Sequence, residues 1–571
     1  MKFHRGKPLL ELLAAALLVL ICVVAARLTL GATGDGPPWY GILPPLVAIV
    51  LAFATQRIFL SLGTAVVLGG LLSVLREPGA PLAMVAKAAG ATFVFDSLND
   101  ADKQGILLYV VLVMAMIAVM LVAGGLQGVA AWLMRFARST RSTKLVTFAA
   151  GLVIFIDDYA NTMIVGSALR PVTDRQRISR EKLAFLVDAT AAPIAGIAVI
   201  STWIGMEVGL LSDVARELHV GKGGYTIFFD ALGFRFYCLG MIAFVFFNAV
   251  SNVDFGPMAR AERRALAEGK LLADGARPMT SRSLTAAEAH PEARIRASVA
   301  VVPMLVLLGV FLYGIWADGD GLVALWLDPR AVLHFSAWRD TLKGADSIPI
   351  LAYASATGLL VAMLAALVAA RVRASVLPGA IWTGIKSSLI PIGVLVLAWS
   401  LKGACDALDT GEFLAGALGD RIPPPLFPAL VFVVASLTSF ATGTSWGTMA
   451  ILIPTAIPVA HELDGGVYGL ITMVSVAAVL DGSIFGDHCS PISDTTIMSS
   501  AASSCDHLAH VRTQMPYSLV VAVFALTAGY LPSGAGASKW VGILGGAGLS
   551  ALLFLGLWLF RSRARPHQQT G

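Results

Sequence analysis

The sequence predicts an all-α polytopic membrane protein, with about 12 transmembrane helices plus two re-entrant hairpins in inverted-topology repeats that contain broken helices. Three observations lead there: long apolar runs, short basic clusters between them, and polar centres with Gly and Pro inside a few of the runs. Of 571 residues, 57% are hydrophobic and 13% charged, about half the charged share of a soluble domain. Mean hydropathy is +0.79.

Runs near the ~20 residues that cross ~30 Å of hydrocarbon lie at 8–30, 41–56, 58–75, 105–126, 183–211, 233–250, 297–317, 348–370, 385–401, 467–500, 516–533 and 541–560. The first follows Lys2, Arg5 and Lys7. It is too long for a signal h-region and has no small-x-small site before polar sequence, so it reads as an uncleaved first helix. Basic clusters at Arg135/Arg138/Arg141/Lys144, Arg170/Arg175/Arg177/Arg180/Lys182, Arg260/Arg263/Arg264/Lys270, Arg371/Arg373 and Arg561/Arg563/Arg565 fall on one side under the positive-inside rule. Both termini are then expected in the cytoplasm of a cell with an inner membrane. These clusters report orientation, so no nucleic-acid partner is expected from the net charge of +5.

Two further apolar stretches behave differently. The stretch 145–169 has basic flanks on both sides, so it must enter and leave by one face, with Phe155-Ile156-Asp157-Asp158-Tyr159-Ala160-Asn161-Thr162 at its tip. The stretch 426–460 has a similar polar middle, Thr438 to Thr448, but is flanked by Asp420, Arg421, Glu462 and Asp464. Asn161-Thr162-Met163 aligns with Gly447-Thr448-Met449, Pro171 with Pro458, and Ala192-Pro193-Ile194 with Ser490-Pro491-Ile492, with Ser201 and Ser499 beyond. Each half therefore reads as span, hairpin and Pro-broken span, with opposite orientation, the architecture of secondary transporters with a midplane site. The expected divisions are N-terminal helices (1–57), a first repeat (58–250), a cytoplasmic linker with one short helix (251–296), a connecting helix and external loop (297–347), a second repeat (348–533), and a last helix and tail (534–571).

The chemistry concentrates in Asp481-Gly-Ser483-Ile-Phe-Gly-Asp487-His488-Cys-Ser490-Pro-Ile-Ser493-Asp494-Thr495-Thr496. A carboxylate at the centre of a membrane helix costs about 2.5–3.5 kcal/mol, so such groups serve ions or find partners. Asp481, Ser483, Asp487, His488, Ser490, Ser493, Asp494 and Thr495 supply hard oxygen ligands suited to Na+, and the helix break adds carbonyls. His488 is equally a proton relay or a structural group. From the first half come Asp157, Asp158, Asn161, Thr162 and Asp188, and from the second hairpin Thr444 and Ser445. Adjacent Asp157 and Asp158 point about 100° apart, so one is expected to line the cavity and the other to cap a helix. Na+ itself is assigned to Asp487, Asp494 and Asn161. No cofactor is expected beyond the transported Na+ and H+. Cys505-Asp506-His507-Leu508-Ala509-His510 lacks the fourth ligand of a zinc site, and five cysteines in apolar surroundings are no disulfide framework. An enzyme is not expected, as neither His-Glu-x-x-His nor Gly-x-Ser-x-Gly is read here.

Residues Gly486 to Ser500, together with Asp157-Asp158-Tyr159-Ala160-Asn161 and Cys505-Asp506-His507, closely resemble the NhaC family of sodium/proton antiporters. The resemblance covers roughly 100–210 and 380–520. It implies inverted repeats, two re-entrant hairpins, a scaffold that dimerises and a transport domain that moves as an elevator. It also implies alternating-access exchange of Na+ for H+, with a Na+- or H+-coupled exchanger of small carboxylates of the malate/lactate type as the alternative. Aspartates without a basic partner favour the cation; a channel is disfavoured by the paired broken helices.

Overall fold

A computed structural model describes residues 8–29, 37–55, 57–74, 93–278, 289–330, 341, 345–410, 413 and 422–563. The positions 1–7 and 564–571, the acidic and basic flank at 420–421 and much of the expected external loop, with their orientation signals, lie outside the described residues. Helices account for nearly everything described. Ten of them are long and apolar enough to cross a membrane among the described residues, and two shorter ones, Trp39–Ala52 and Ile58–Val74, answer to the second and third expected spans.

In chain order, α1 is Pro8–Thr29, α2 Leu43–Thr55 and α3 Ile58–Val74. The helix α4, Ala101–Val122, starts at an Asp100 cap that accepts from the backbone N–H groups of Asp102 and Lys103. Gly124, at φ +74°, then turns the chain into α5, Gly125–Met134.

The first hairpin is α6 (Thr140–Val153) and α7 (Asp158–Arg175). Ser139 opens α6 with a capping box to Ser142, and Thr140 Oγ1 lies 3.4 Å from the Gln176 carbonyl oxygen. The start of one leg thus meets the end of the other, so the two legs run antiparallel. The expected Pro-broken span 183–211 is interrupted twice. It is α8 (Arg180–Asp188), a single turn α9 (Ala192–Ala195) and α10 (Thr202–Glu217). Pro193 removes a donor in the middle, and Ser201 restarts the helix by accepting from the N–H groups of Trp203 and Ile204. Next come α11 (Gly224–Leu232) and α12 (Phe236–Ser251), which ends at left-handed Asn252. The short linker helix expected between the repeats is α13, Gly256–Glu268. It is held more firmly than its composition suggested, with Met258, Ala261 and Ala265 buried and Glu262 2.6 Å from Lys144 of α6.

Long apolar faces run along the three helices that follow, α14 (Ser298–Asp318), α15 (Ser347–Val368) and α16 (Leu377–Asp406). On α15, for instance, Tyr353, Leu360, Leu364 and Val368 are each 60–76% exposed, an apolar surface far beyond what a soluble monomer shows and suited to hydrocarbon.

The second hairpin is α17 (Phe427–Thr442) and α18 (Ser445–Leu463), turned at Gly443 with φ +68°. The second broken helix is α19 (Leu470–Cys489), a break at 490–493, and α20 (Asp494–Ala502). Gly482 and Gly486 let α19 sit on α17: an added Cβ would lie 2.6 Å from the Phe432 carbonyl oxygen and 2.3 Å from that of Ser436. His507–Phe524 forms α21, extended by a π-helical segment to Tyr530, and Lys539–Arg563 forms α22. By their caps, Asp157 corresponds to Thr444 and Ser201 to Ser493. That register places Asn161 opposite Thr448, one residue from the alignment expected from the sequence.

Candidate functional site

Three helix starts set the site. Asp157 caps α7 through the Tyr159 N–H at 3.2 Å, Thr444 caps α18 through Gly447, and Ser493 caps α20 through Thr496. Each break leaves a helix N-terminus, with its uncompensated N–H groups, next to polar side chains. Asp157, Asp158, Thr444, Ser445, Asp487, Asp494 and Thr495 all line one cavity of about 450 Å³. Its remaining walls are Trp203 at the start of α10, Trp446 on α18, and the facing sides of α4 and α16, including Met114, Thr383, Ser387 and Pro391. Among the described residues, no Lys or Arg lines it.

Both adjacent aspartates reach this cavity, which corrects the expectation that only one does. Asp157 caps and lines at once, because its backbone is extended (φ −153°) and does not follow the helix. Tyr159 donates its hydroxyl to Asp494, joining the first hairpin to the second break. Ser445 Oγ donates to Asp487 Oδ2 at 3.2 Å, while Asp487 Oδ1 is buried without a hydrogen-bond partner. Asp158 feels the charges of Asp157 and Asp494, and Asp487 those of Asp494 and Asp188. Four mutually repelling carboxylates in one hollow require cations or protons for company.

Other residues singled out from the sequence sit behind the cavity wall. Asn161 donates from Nδ2 to the carbonyl oxygens of Gly151, Ile154 and Thr190 at 2.8–2.9 Å, pinning the hairpin turn to the first break. It is not among the lining residues, so the Na+ set of Asp487, Asp494 and Asn161 is only partly assembled at the cavity; Asn161 Oδ1 and Thr162 Oγ1 are buried and unpartnered. Ser490 donates to the Phe440 carbonyl oxygen and Ser483 to that of Val479. Both hold backbone. Ser493 shares a 2.9 Å hydroxyl contact with Thr495 besides its cap.

Asp481 is the clearest departure. Its carboxylate accepts from Arg235 Nε at 2.8 Å, the Tyr237 N–H at 2.6 Å and the Tyr530 hydroxyl at 2.8 Å, all fully buried. It is locked in an ion pair and does not line the cavity. Asp188 lies in another buried cluster, accepting from Ser499 Oγ (3.0 Å) and Gln514 Nε2 (2.6 Å) beside His510 Nε2 (3.3 Å). Gln514 also donates to the carbonyl oxygen of His488. His488 Nδ1 meets the Tyr237 hydroxyl at 2.8 Å, and its Nε2 is 3.9 Å from Asp188. His507 braces the second break, with Nδ1 3.1 Å from Ser500 Oγ and Nε2 2.7 Å from the Pro491 carbonyl oxygen.

Sequence reasoning missed Tyr159, Trp203, Trp446 and the Thr383/Ser387 pair. The last had a signal, two hydroxyls four residues apart in an apolar run. The expected lack of Gly-x-Ser-x-Gly is also corrected: Gly443-Thr444-Ser445-Trp446-Gly447 has that spacing of a hydrolase nucleophile. Here it joins two helices, without the strand of a nucleophile elbow, and Ser445 bonds to a carboxylate rather than a histidine.

A family profile described as "Na+/H+ antiporter family" matches residues 194–534, more than half of the chain. An uncharacterized protein of Haemophilus influenzae is 28% identical over 498 residues, 87% of this chain and 91% of its own length. A malate-2H(+)/Na(+)-lactate antiporter of Bacillus subtilis is 32% identical over 162 residues, 28% of this chain and 34% of that protein. Among solved structures, the YdaH transporter of Alcanivorax borkumensis superposes with a TM-score of 0.52 at 15% identity, covering 80% of this chain and 90% of that one, a likeness of fold. The multi-pass helical architecture, the paired breaks and the profile agree, and the chain belongs to the Na+/H+ antiporter family.

Proposed function

We propose that this chain exchanges Na+ for H+ by alternating access across a cell inner membrane, with both termini in the cytoplasm, and that Asp157, Asp158, Asp487 and Asp494 are the shared sites for the two cations. One observation carries the reading: four carboxylates from three elements converge on a cavity that no basic side chain lines among the described residues. Na+ is held by Asp487 and Asp494 with the hydroxyls of Ser445 and Thr495, hard ligands of the kind it prefers. When protons occupy the same oxygens, the metal leaves, and mutual exclusion at one set of atoms is what obligatory exchange needs. The two hairpins act as re-entrant elements, and the linker helix α13 stays on the cytoplasmic side.

A second reading has an observation of its own. The N-termini of α7, α18 and α20 all face the cavity, and such ends bind anions. The B. subtilis relative is named for malate and lactate, and a Halobacterium salinarum relative, 32% identical over 150 residues and 30% of its length, for arginine and ornithine. Proteoliposomes carrying an imposed pH gradient decide between them. Na+ alone should dissipate the gradient, and malate or lactate without Na+ should not. A response that requires the organic acid would transfer the function to the carboxylate exchanger. The resemblance also implies a homodimer, which mass measurement in detergent tests directly.

A further inference from the structure

We propose that the cavity also takes an organic cation with an alkylated ammonium head, which competes with Na+ for the same aspartates. This rests on the cation-exchange reading and extends it from an ion to a class of substrate. Volume is the first argument. At about 450 Å³ the hollow lies within the 300–1,000 Å³ range of sites for small organic molecules, while one water takes about 30 Å³, so a Na+ with a few waters fills only a part of it.

Wall chemistry is the second. Trp203 and Trp446 stand edge to face, ring centroids 6.0 Å apart at 86°. Together with Tyr159, Met114 and Met163 they give the carboxylates an aromatic and thioether surround. A small metal ion gains nothing from indole or methyl surface that water does not offer better. An alkylated ammonium, weakly hydrated and broad, gains from both the ring faces and the negative charge. Charge balance is the third argument. Three helix N-termini contribute roughly half a positive charge each, about 1.5 in all, so the hollow stays negative and selects a cation whenever two or more of its four aspartates are ionised. An organic anion would find no Lys or Arg to pair with among the described residues of the wall.

The probes are choline and tetramethylammonium, permanently charged cations that cannot collapse a pH gradient by crossing as free bases. In proteoliposomes of the full chain, choline should raise the apparent KM for Na+ competitively, and labelled choline should accumulate in vesicles with an acidic interior as protons leave. Trp446→Ala should weaken choline relative to Na+ by about fivefold or more, and Trp446→Phe should retain most of it, the mark of an aromatic contact. If Na+ exchange proceeds and neither probe competes or moves, the organic-cation site is overturned while Na+/H+ exchange stands. If choline drives exchange and Na+ does not, the Na+ reading falls and the organic-cation site survives. If neither cation drives exchange, both fall.

Discussion

Asp481 and Asp487 are six residues apart on α19, roughly 240° around the helix, and that angle sends one to an ion pair and the other to the cavity. Asp481 turns toward Arg235, whose guanidinium also meets Glu207 at 3.3 Å. Asp481→Ala leaves that guanidinium short of its main partner in a fully buried place and should cost about 3–5 kcal/mol, read as a large drop in Tm and in recoverable folded protein. Asp487→Asn and Asp494→Asn keep shape and remove charge at the cavity. Each should abolish or strongly impair exchange in proteoliposomes with little change in Tm, and wild-type turnover in both would take the second break out of the mechanism. The sequence could not draw this distinction. Burial is equally expensive for an ion pair and an ion site, and the partner that decides the matter, Arg235, is 246 residues from Asp481. Asp188 was opaque for the same reason, its partners Ser499, His510 and Gln514 lying more than 300 residues away. All four cavity aspartates were among the sequence candidates, but the sequence chose only one of Asp157 and Asp158 for the cavity and placed Asp188 and Asp481 there with them.

At the level of elements, both helix–turn–helix pairs and both breaks were visible, since a polar centre with Gly or Pro interrupts an apolar run. Their limits were less so. The first hairpin runs to Arg175, and the first break occupies 189–201 because three features, Pro193, the turn at Ala192–Ala195 and the Ser201 cap, spread it out. The turn of the second hairpin depends on Gly443, at φ +68° with the Ile492 carbonyl carbon 3.0 Å from where a Cβ would go. Gly443→Ala should therefore lower stability by about 1–2 kcal/mol from backbone strain alone, more if the break at Ile492 must move, and a thermal melt beside the exchange assay measures both. The linker has a testable anchor as well. Asp506 caps α21 at Ala509 and accepts from the Arg277 N–H at 2.9 Å. Burial pushes its pKa up, but the N–H groups of Arg277, Ala509 and Leu508 outweigh burial and hold the carboxyl below its ordinary value. The anchoring is thus fully present above the unfolded value of about 3.9 and is lost as pH falls through the lower folded one. Asp506→Asn at neutral pH should mimic the acid form, seen as faster hydrogen exchange of the Arg277 amide.

Across the whole molecule, two groups of ion pairs stand apart from the buried clusters around Asp188 and Asp481. One ties α13 and the residues before it to α6 and α8 through Lys144 to Glu262, Lys182 to Asp254 and Arg264 to Glu181, at 2.6–2.9 Å. The other ties the end of α10 to the flanking helices: Lys103 of α4 reaches Asp213 at 3.0 Å, Arg216 meets Asp100 and Asp102, and Lys402 of α16 reaches Glu217 at 2.8 Å. Further in, Trp399 donates to the Gly209 carbonyl oxygen at 3.1 Å and Tyr109 to that of Ser201 at 2.6 Å. This collar separates two mechanical possibilities. If the hairpins and broken helices slide as a body past α4 and α16, α10 must release these bonds in each cycle; if α10 stays with α4 and α16, the movement has to be taken up in the break at 189–201. Lys103→Met with Lys402→Met removes two of the cross-links while keeping apolar bulk. Under the sliding arrangement, turnover and the labelling rate of a cavity cysteine introduced by Ser387→Cys should both change, because the resting population of open and closed forms shifts by the lost bonds. Unchanged labelling and turnover would instead assign α10 to the stationary part and make the first break the hinge.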